Sequence, residues 1–285
     1  MVESGAEKGD PRRTAKTEYR ILLQIVEAIM FSETCSALAE NAREKYAFFC
    51  RRPGAFFVSA VMAGAFIALG SIVSLSLGGM LAAAGCAAVK LLAALVFASA
   101  LSLVIMAGCN LFTGNNLTVG MGVLSGKVGW GGALRLWGFC WLGNLAGCWL
   151  FVLLYSAAGL GKNPDTAAYI AAVAAGKMSA APFALFVKAL LCNICVCLAV
   201  WCSAKLKSET AVLIMAVWCI LIFMLSGFEH SIANMAILGL ALLEGAPLVS
   251  PAAYAGNILL VTLGNFVGGF VFVAVPYWFV SMEKC

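Results

Sequence analysis

The chain's single histidine, His230, stands in the run Ser226-Gly-Phe-Glu-His-Ser-Ile-Ala-Asn-Met235, with long apolar stretches on both sides. Flanks of that kind place it at membrane depth, where a charged group costs roughly 2.5–3.5 kcal/mol on insertion scales and where titratable residues usually line a substrate or proton path. His230 is therefore the first residue to which chemistry can be assigned. Glu229 beside it points about 100° around any helix and is expected to anchor backbone N–H groups of a local helix break.

The elements that must position this cluster follow from composition. Hydrophobic residues make up 63% of the chain and charged residues 11%, with a mean hydropathy of +1.00; a soluble domain would carry about a quarter charged residues. The chain reads as an all-α polytopic membrane protein. A helical span needs about 20 apolar residues, and such windows lie at 54–78, 87–107, 134–160, 182–204, 210–225 and 253–280. Two shorter apolar pieces, 116–124 and 232–243, follow the second and fifth windows and read as the second halves of broken helices.

Lys and Arg are enriched in cytoplasmic loops. Arg12, Arg13, Lys16, Arg43, Lys45, Arg51 and Arg52 precede the first span, Lys127 and Arg135 the third, Lys205 and Lys207 the fifth, and Lys284 follows the last. Both termini are thus expected in the cytoplasm, and the net charge of +5 is a topological signal rather than a nucleic-acid footprint. The polar first residues show no cleavable signal peptide. Residues 18–50 read as an amphipathic surface helix, with Ile21, Leu22, Ile25, Ile29 and Met30 at helical spacing. Cys192, Cys195 and Cys197 fall inside the fourth apolar window and read as small packing residues rather than a metal set; no cofactor is implied.

The sequence also repeats itself. Leu111-Phe-Thr-Gly-Asn-Asn-Leu117 is followed, about 28 residues after Asn116, by Gly143-Asn-Leu-Ala-Gly147, and the His230 run is followed at a similar distance by Gly264-Asn-Phe-Val-Gly268. Each half holds three spans, so the second must be inverted relative to the first, an arrangement in which interrupted helices meet near the bilayer midplane. Non-helical backbone at that depth is tolerable only where protein or a polar cavity surrounds it. Gly108, Gly114 and Gly227 mark the breaks, and each restarted half-helix would turn its positive end to the centre, favouring a small anion. Gly143, Gly147, Gly264, Gly268 and Gly269 read as close-packing positions, and the adjacent Asn144 and Asn265 as bridges to broken backbone or neighbouring helices. The segments divide as 1–52, a cytoplasmic N-terminal segment; 53–165, a first three-helix repeat; and 166–282, a second, inverted one.

Three motifs, Leu111-Phe-Thr-Gly-Asn115, Cys192-Asn-Ile-Cys-Val-Cys-Leu-Ala-Val-Trp201 and Gly227-Phe-Glu-His-Ser-Ile-Ala-Asn-Met235, resemble those of the formate/nitrite transporter family over roughly residues 45–282. The resemblance implies a homopentamer of aquaporin-like six-span protomers, each with its own pore and with broken second and fifth helices. It places Thr113 opposite His230 at a central anion site, Leu101 and Phe223 at an apolar constriction on the outer side, and Phe112 and Val196 at one on the cytoplasmic side. Lys177 falls at the family's vestibule lysine and Asn193 at its pore asparagine. The stretch Lys177-Met-Ser-Ala-Ala-Pro-Phe183 is closer to the nitrite and hydrosulfide branches than to the histidine-richer formate branch. Asn110 departs from the acidic residue that many members carry before Leu-Phe-Thr.

These readings imply a channel in an inner or plasma membrane that passes small monovalent weak-acid anions (nitrite, hydrosulfide or formate) with His230 sharing a proton, the partners being those anions, protons and the lipid bilayer. An aquaporin-like channel for neutral solutes would share the architecture, but Gly114-Asn-Asn116 and Ala233-Asn-Met235 stand where paired Asn-Pro-Ala motifs would be. A membrane enzyme would need a nucleophile and base, or a metal set, which one histidine and scattered cysteines do not supply.

Overall fold

The computed structural model describes residues 11–282, and the side chains of residues 31–282. All regular structure in this range is helical: α1 (Pro11–Arg51), α2 (Pro53–Ala83), α3 (Val89–Met106), α4 (Phe112–Leu124), α5 (Trp130–Ala157), α6 (Pro164–Met178), α7 (Pro182–Lys205), α8 (Glu209–Ser226), α9 (Ser231–Leu243), α10 (Pro251–Gly269) and α11 (Val275–Met282). A π-helical turn, Phe270–Ala274, joins the last two into one rod. Among the described residues six helices are long and apolar enough to cross a membrane: α2, α3, α5, α7, α8 and the α10–α11 rod. The side chains of Ile21, Leu22, Ile25, Ile29 and Met30, on which the amphipathic reading of α1 rested, lie outside the described set; the helix itself runs through them.

Local chemistry sets the helix ends. Proline opens α2, α6, α7 and α10, where its missing N–H costs nothing and its fixed φ suits the first turn. Asn163, Ser208 and Ser250 cap α6, α8 and α10 through their side-chain oxygens.

The chain passes back and forth between two faces. α1 lies along one face against α4 and α11, where a Cβ at Gly122 would meet Ala42 and the Cys35 thiol donates to the Tyr277 carbonyl at 3.4 Å. α6 lies along the opposite face, where a Cβ at Gly79 would meet the Thr166 backbone. Within the first repeat α2 packs on α5, and within the second α7 packs on α10. These seams are backbone on backbone: a side chain at Gly147 would strike the Val61 carbonyl, and one at Gly268 the Leu190 carbonyl. Lipid tails provide no hydrophobic drive between helices, so close approach through small residues supplies the contact. The expected packing roles of Gly143, Gly147, Gly264, Gly268 and Gly269 are those the structure gives them.

The two broken helices are α3/α4 and α8/α9. α3 ends at Gly108 with φ +71° and α8 at Gly227 with φ +73°, the left-handed conformation that closes a helix cheaply only with glycine. The same pair of bonds tightens each end: Gly108 N to Ile105 O and Cys109 N to Val104 O, then Gly227 N to Met224 O and Phe228 N to Phe223 O. After each glycine the chain folds back into the core, so Thr113 and His230 reach the centre before α4 and α9 run out to opposite faces.

Candidate functional site

Folding a loop back into the core leaves the first N–H groups of a helix without partners, and each repeat supplies the same remedy from its third spanning helix. Asn144 of α5 accepts from Phe112 N at 2.8 Å while donating to Ala60 O at 2.8 Å and Asn110 O at 3.0 Å. Asn265 of α10 accepts from Ser231 N at 2.8 Å and donates to Ala189 O at 2.7 Å and Glu229 O at 2.9 Å. Both asparagines are fully buried, and each binds a break to two neighbours, as their sequence context suggested.

At the centre His230 caps α9: its Nδ1 accepts from Ala233 N at 3.1 Å. With Nδ1 committed as acceptor, the neutral ring carries its hydrogen on Nε2, which meets Thr113 Oγ1 at 3.0 Å. The Phe223 ring stacks on the imidazole with centroids 6.0 Å apart. Asn193 stands behind this pair, its amide nitrogen donating to Thr113 O at 3.3 Å and Asn265 O at 2.7 Å. From outside both cavities it ties the first break to α10 at the residue whose side chain holds the second. The thiols of Cys197 and Cys148 play matching parts, donating to Thr113 O at 3.5 Å and Ile232 O at 3.4 Å; nothing in their spacing foretold this.

Two cavities approach the Thr113–His230 pair from opposite faces. The one on the α1 face, about 670 Å³, is lined by Lys45, Ser59, Leu101, Val104, Asn110 and Asn115 among others. The opposite one, about 370 Å³, is lined by His230, Phe223, Glu229 and three lysines, Lys90, Lys177 and Lys188.

Several expected placements change. Leu101, expected beside Phe223 on the outer side, lines the α1-face cavity. α3 enters from the opposite face, so position 101 lies one turn deeper than Phe97, and it is Phe97 that meets Phe223 edge-on at 6.0 Å. Phe112 and Val196 are buried in the central core, outside the lining of both cavities. Glu229 does not anchor backbone N–H groups; its carboxylate accepts from Lys177 Nζ at 2.9 Å and from Asn234 Nδ2 at 2.8 Å. Lys177 is therefore an ion-paired lysine, its side chain 15% exposed against 7% for Glu229. Sequence reasoning missed Lys45, which donates to Asn110 Oδ1 at 2.8 Å and Asn115 Oδ1 at 3.1 Å. Laying the two breaks over one another would have paired Asn110 and Asn115 with Glu229 and Asn234, but no sequence signal brings α1 to them.

The model of the formate/nitrite transporter family matches residues 32–279. The chain is 37% identical over 254 residues to the nitrite transporter NirC of Escherichia coli (88% of this chain, 93% of that protein). It is 34% identical over 272 residues to a probable formate transporter of Methanothermobacter thermautotrophicus (89% and 96%). Among solved structures, one described as an FNT family ion channel superposes with a TM-score of 0.82 at 36% identity, covering 87% of this chain and 98% of that one. A pentameric formate channel with formate bound superposes with a TM-score of 0.67 at 27% identity, covering 80% and 97%. With six spans, two inverted broken helices and a family match over most of its length, this multi-pass membrane protein belongs to the formate/nitrite transporter family.

Proposed function

We propose that the protein is a channel for small monovalent weak-acid anions, nitrite, hydrosulfide or formate, acting as a homopentamer with one pore per protomer. The relatives named for nitrite and formate transport and the pentameric structural neighbour support this reading. The observation that carries it is the Thr113–His230 hydrogen bond, a polar contact standing between two cavities and flanked by apolar rings. Phe97 and Phe223 form the outer ring, and Leu101, with Phe112 and Val196 behind it, the inner one.

An anion passing such rings would lose its hydration. Low dielectric raises the basicity of a weak-acid anion, so a hydronium ion on the entering side converts it to the neutral acid, which crosses the ring and returns the proton to water on the far side. At the centre the Nε2 hydrogen of His230 is shared with whichever acceptor stands opposite, the Thr113 hydroxyl or an acceptor atom of the arriving acid. A full imidazolium would require a hydrogen on Nδ1 and hence loss of the bond from Ala233 N; the ring therefore serves as a hydrogen-bond donor while the travelling proton accompanies the anion. The positive ends of α4 and α9, both facing the centre, favour negative charge there.

The α1 face is assigned to the cytoplasm of an inner or plasma membrane, because Lys127, Arg135, Lys205 and Lys207 lie in or beside the connections on that face, in keeping with the bias of cytoplasmic loops. The test is anion flux in proteoliposomes, comparing nitrite, hydrosulfide, formate and chloride across a range of pH. Acid-stimulated flux confined to the weak acids supports the reading. Equal chloride flux would make this a broad anion pore, and flux of uncharged solutes alone would favour the aquaporin-like alternative.

A further inference from the structure

The two breaks share one design but not one charge. Glu229 and Asn110 each stand two residues before the capped N–H of their half-helix, and Asn234 and Asn115 each stand three residues after it. A lysine reaches both members in one repeat and is held through the carboxylate in the other. In the second repeat, Lys177 meets the Glu229 carboxylate at 2.9 Å, and Asn234 donates to the same oxygen at 2.8 Å. In the first, Lys45 meets two neutral amide oxygens, those of Asn110 at 2.8 Å and Asn115 at 3.1 Å. Among the described residues the ion pairs are Lys177–Glu229 and Arg43–Glu40, so Lys45 is a cation whose pseudo-symmetric counterpart has a carboxylate and which itself has none.

An ammonium carries three donors, and two of Lys45's are taken. The side chain lines the cavity of about 670 Å³, together with Ser59, Asn110 and Asn115. Ser59 Oγ accepts from Asn110 Nδ2 at 3.0 Å, which leaves its own hydrogen free to point into that space. Glu44 is the carboxylate that also lines the cavity; it is exposed, and as Lys45's neighbour in a helix it projects about 100° away. Withdrawing a cation from water without a counter-charge is unfavourable. Burial accordingly pushes the Lys45 ammonium below the ordinary lysine value, and an anion beside it would offset that push.

We propose that a small monovalent anion is the missing counter-ion: the α1-face cavity holds one against Lys45 Nζ and the Ser59 hydroxyl, giving the pore an anion-binding station on that side which the ion-paired Lys177 side lacks. The station rests on the reading of the protein as an anion channel, and it makes the two mouths unequal, the α1 mouth saturating at lower anion concentration than the other.

The test uses Asn110→Asp, which restores the carboxylate at the position of Glu229, with Asn110→Ser as a neutral control and Lys45→Met as the loss of the cation. In purified full-length protein, sodium nitrite should raise the Tm saturably relative to sodium gluconate in the wild type and in Asn110→Ser, and should not do so in Asn110→Asp or Lys45→Met. In vesicles of uniform orientation, Asn110→Asp should raise the half-saturating nitrite concentration about tenfold from the α1 side, the scale set by one added charge a few ångströms from the site, with no change from the opposite side. A wild-type nitrite response retained in Asn110→Asp, in Tm or in the one-sided half-saturation, overturns the station. Absence of flux for every anion in a folded wild-type protein overturns the channel reading instead, and the Tm series still judges the site without it.

Discussion

Thr113 and His230 lie 117 positions apart in the chain, and their side chains meet at 3.0 Å. Each is delivered by a helix that ends on a left-handed glycine, folds back and restarts, so the contact joins the two repeats at the point where both are least regular. The repeats are not mirror copies here. His230 stands where the first repeat has Leu111, and Thr113 where the second has Ile232, each one residue before or after the capped N–H. The polar centre therefore takes one residue from each repeat.

His230 has two duties that substitution can separate. His230→Phe removes both the Nε2 donor and the Nδ1 cap of α9, and loss of a cap costs about 1 kcal/mol. Asparagine is a good capping residue but too short to reach Thr113. His230→Asn should therefore keep the Tm close to wild type and lose nitrite flux together with its pH dependence. Proteoliposome flux beside thermal melting checks this; retained, pH-dependent flux in the asparagine variant would make the ring structural.

Asn144 and Asn265 are each responsible for three buried hydrogen bonds. Replacement by alanine strands the Phe112 or Ser231 N–H at membrane depth, where an unmade bond costs about 1–3 kcal/mol. Asn144→Ala and Asn265→Ala should both lower the Tm markedly and by similar amounts. Asn144→Asp keeps the acceptor and loses the donors, and should fall between. Detergent melting followed by size-exclusion chromatography would read the order.

The span positions, the inverted repeat and the breaks at Gly108 and Gly227 are legible because glycine, asparagine and apolar length act locally, and the structure keeps them; Gly114, expected at a break, lies instead in the first turn of α4. Legibility failed where the deciding contact crosses between elements. Glu229 was read from its neighbours as an anchor for the break, but α6 brings Lys177 to its carboxylate. The resemblance puts Leu101 beside Phe223, whereas the depth to which α3 enters sets Phe97 against Phe223 and Leu101 in the lining of the α1-face cavity. Lys45 lies on α1, before the segments read as the two repeats, and no shared motif ties α1 to α6, so its correspondence to Lys177 emerges only once both helices pack against their breaks.

The glycine seams give a steric prediction with its own control. A Cβ at Gly147 or Gly268 would strike a backbone carbonyl of the facing helix, whereas at Gly138, on the same helix as Gly147, it meets open space. Carbonyls in a helix cannot move aside without shifting the helix, and overpacking costs about 1–3 kcal/mol. Gly147→Ala and Gly268→Ala should each lower the Tm, and Gly138→Ala should leave it unchanged or slightly raised, as the helix preference for alanine over glycine directs. Equal effects at all three would mean that helix propensity, not the seam, governs these positions.

The Lys177–Glu229 pair predicts a coupling and a division of labour. Removing one member leaves a nearly buried opposite charge, a loss of about 1–3 kcal/mol once the pair's partial solvent contact is allowed for. Lys177→Met and Glu229→Gln should each destabilise, and the double variant should be more stable than the sum of the two predicts. Because the Glu229 carboxylate offsets the Lys177 charge, the proposed attraction of anions into the opposite-face cavity falls to Lys90 and Lys188, which line it and, among the described residues, form no salt bridge. Lys90→Gln with Lys188→Gln should slow nitrite entry from that face at low ionic strength and converge with wild type as salt is raised, since screening removes the steering of exposed charges. A rate from that face insensitive to both lysines at low salt would return the attraction to Lys177 and the half-helix dipoles.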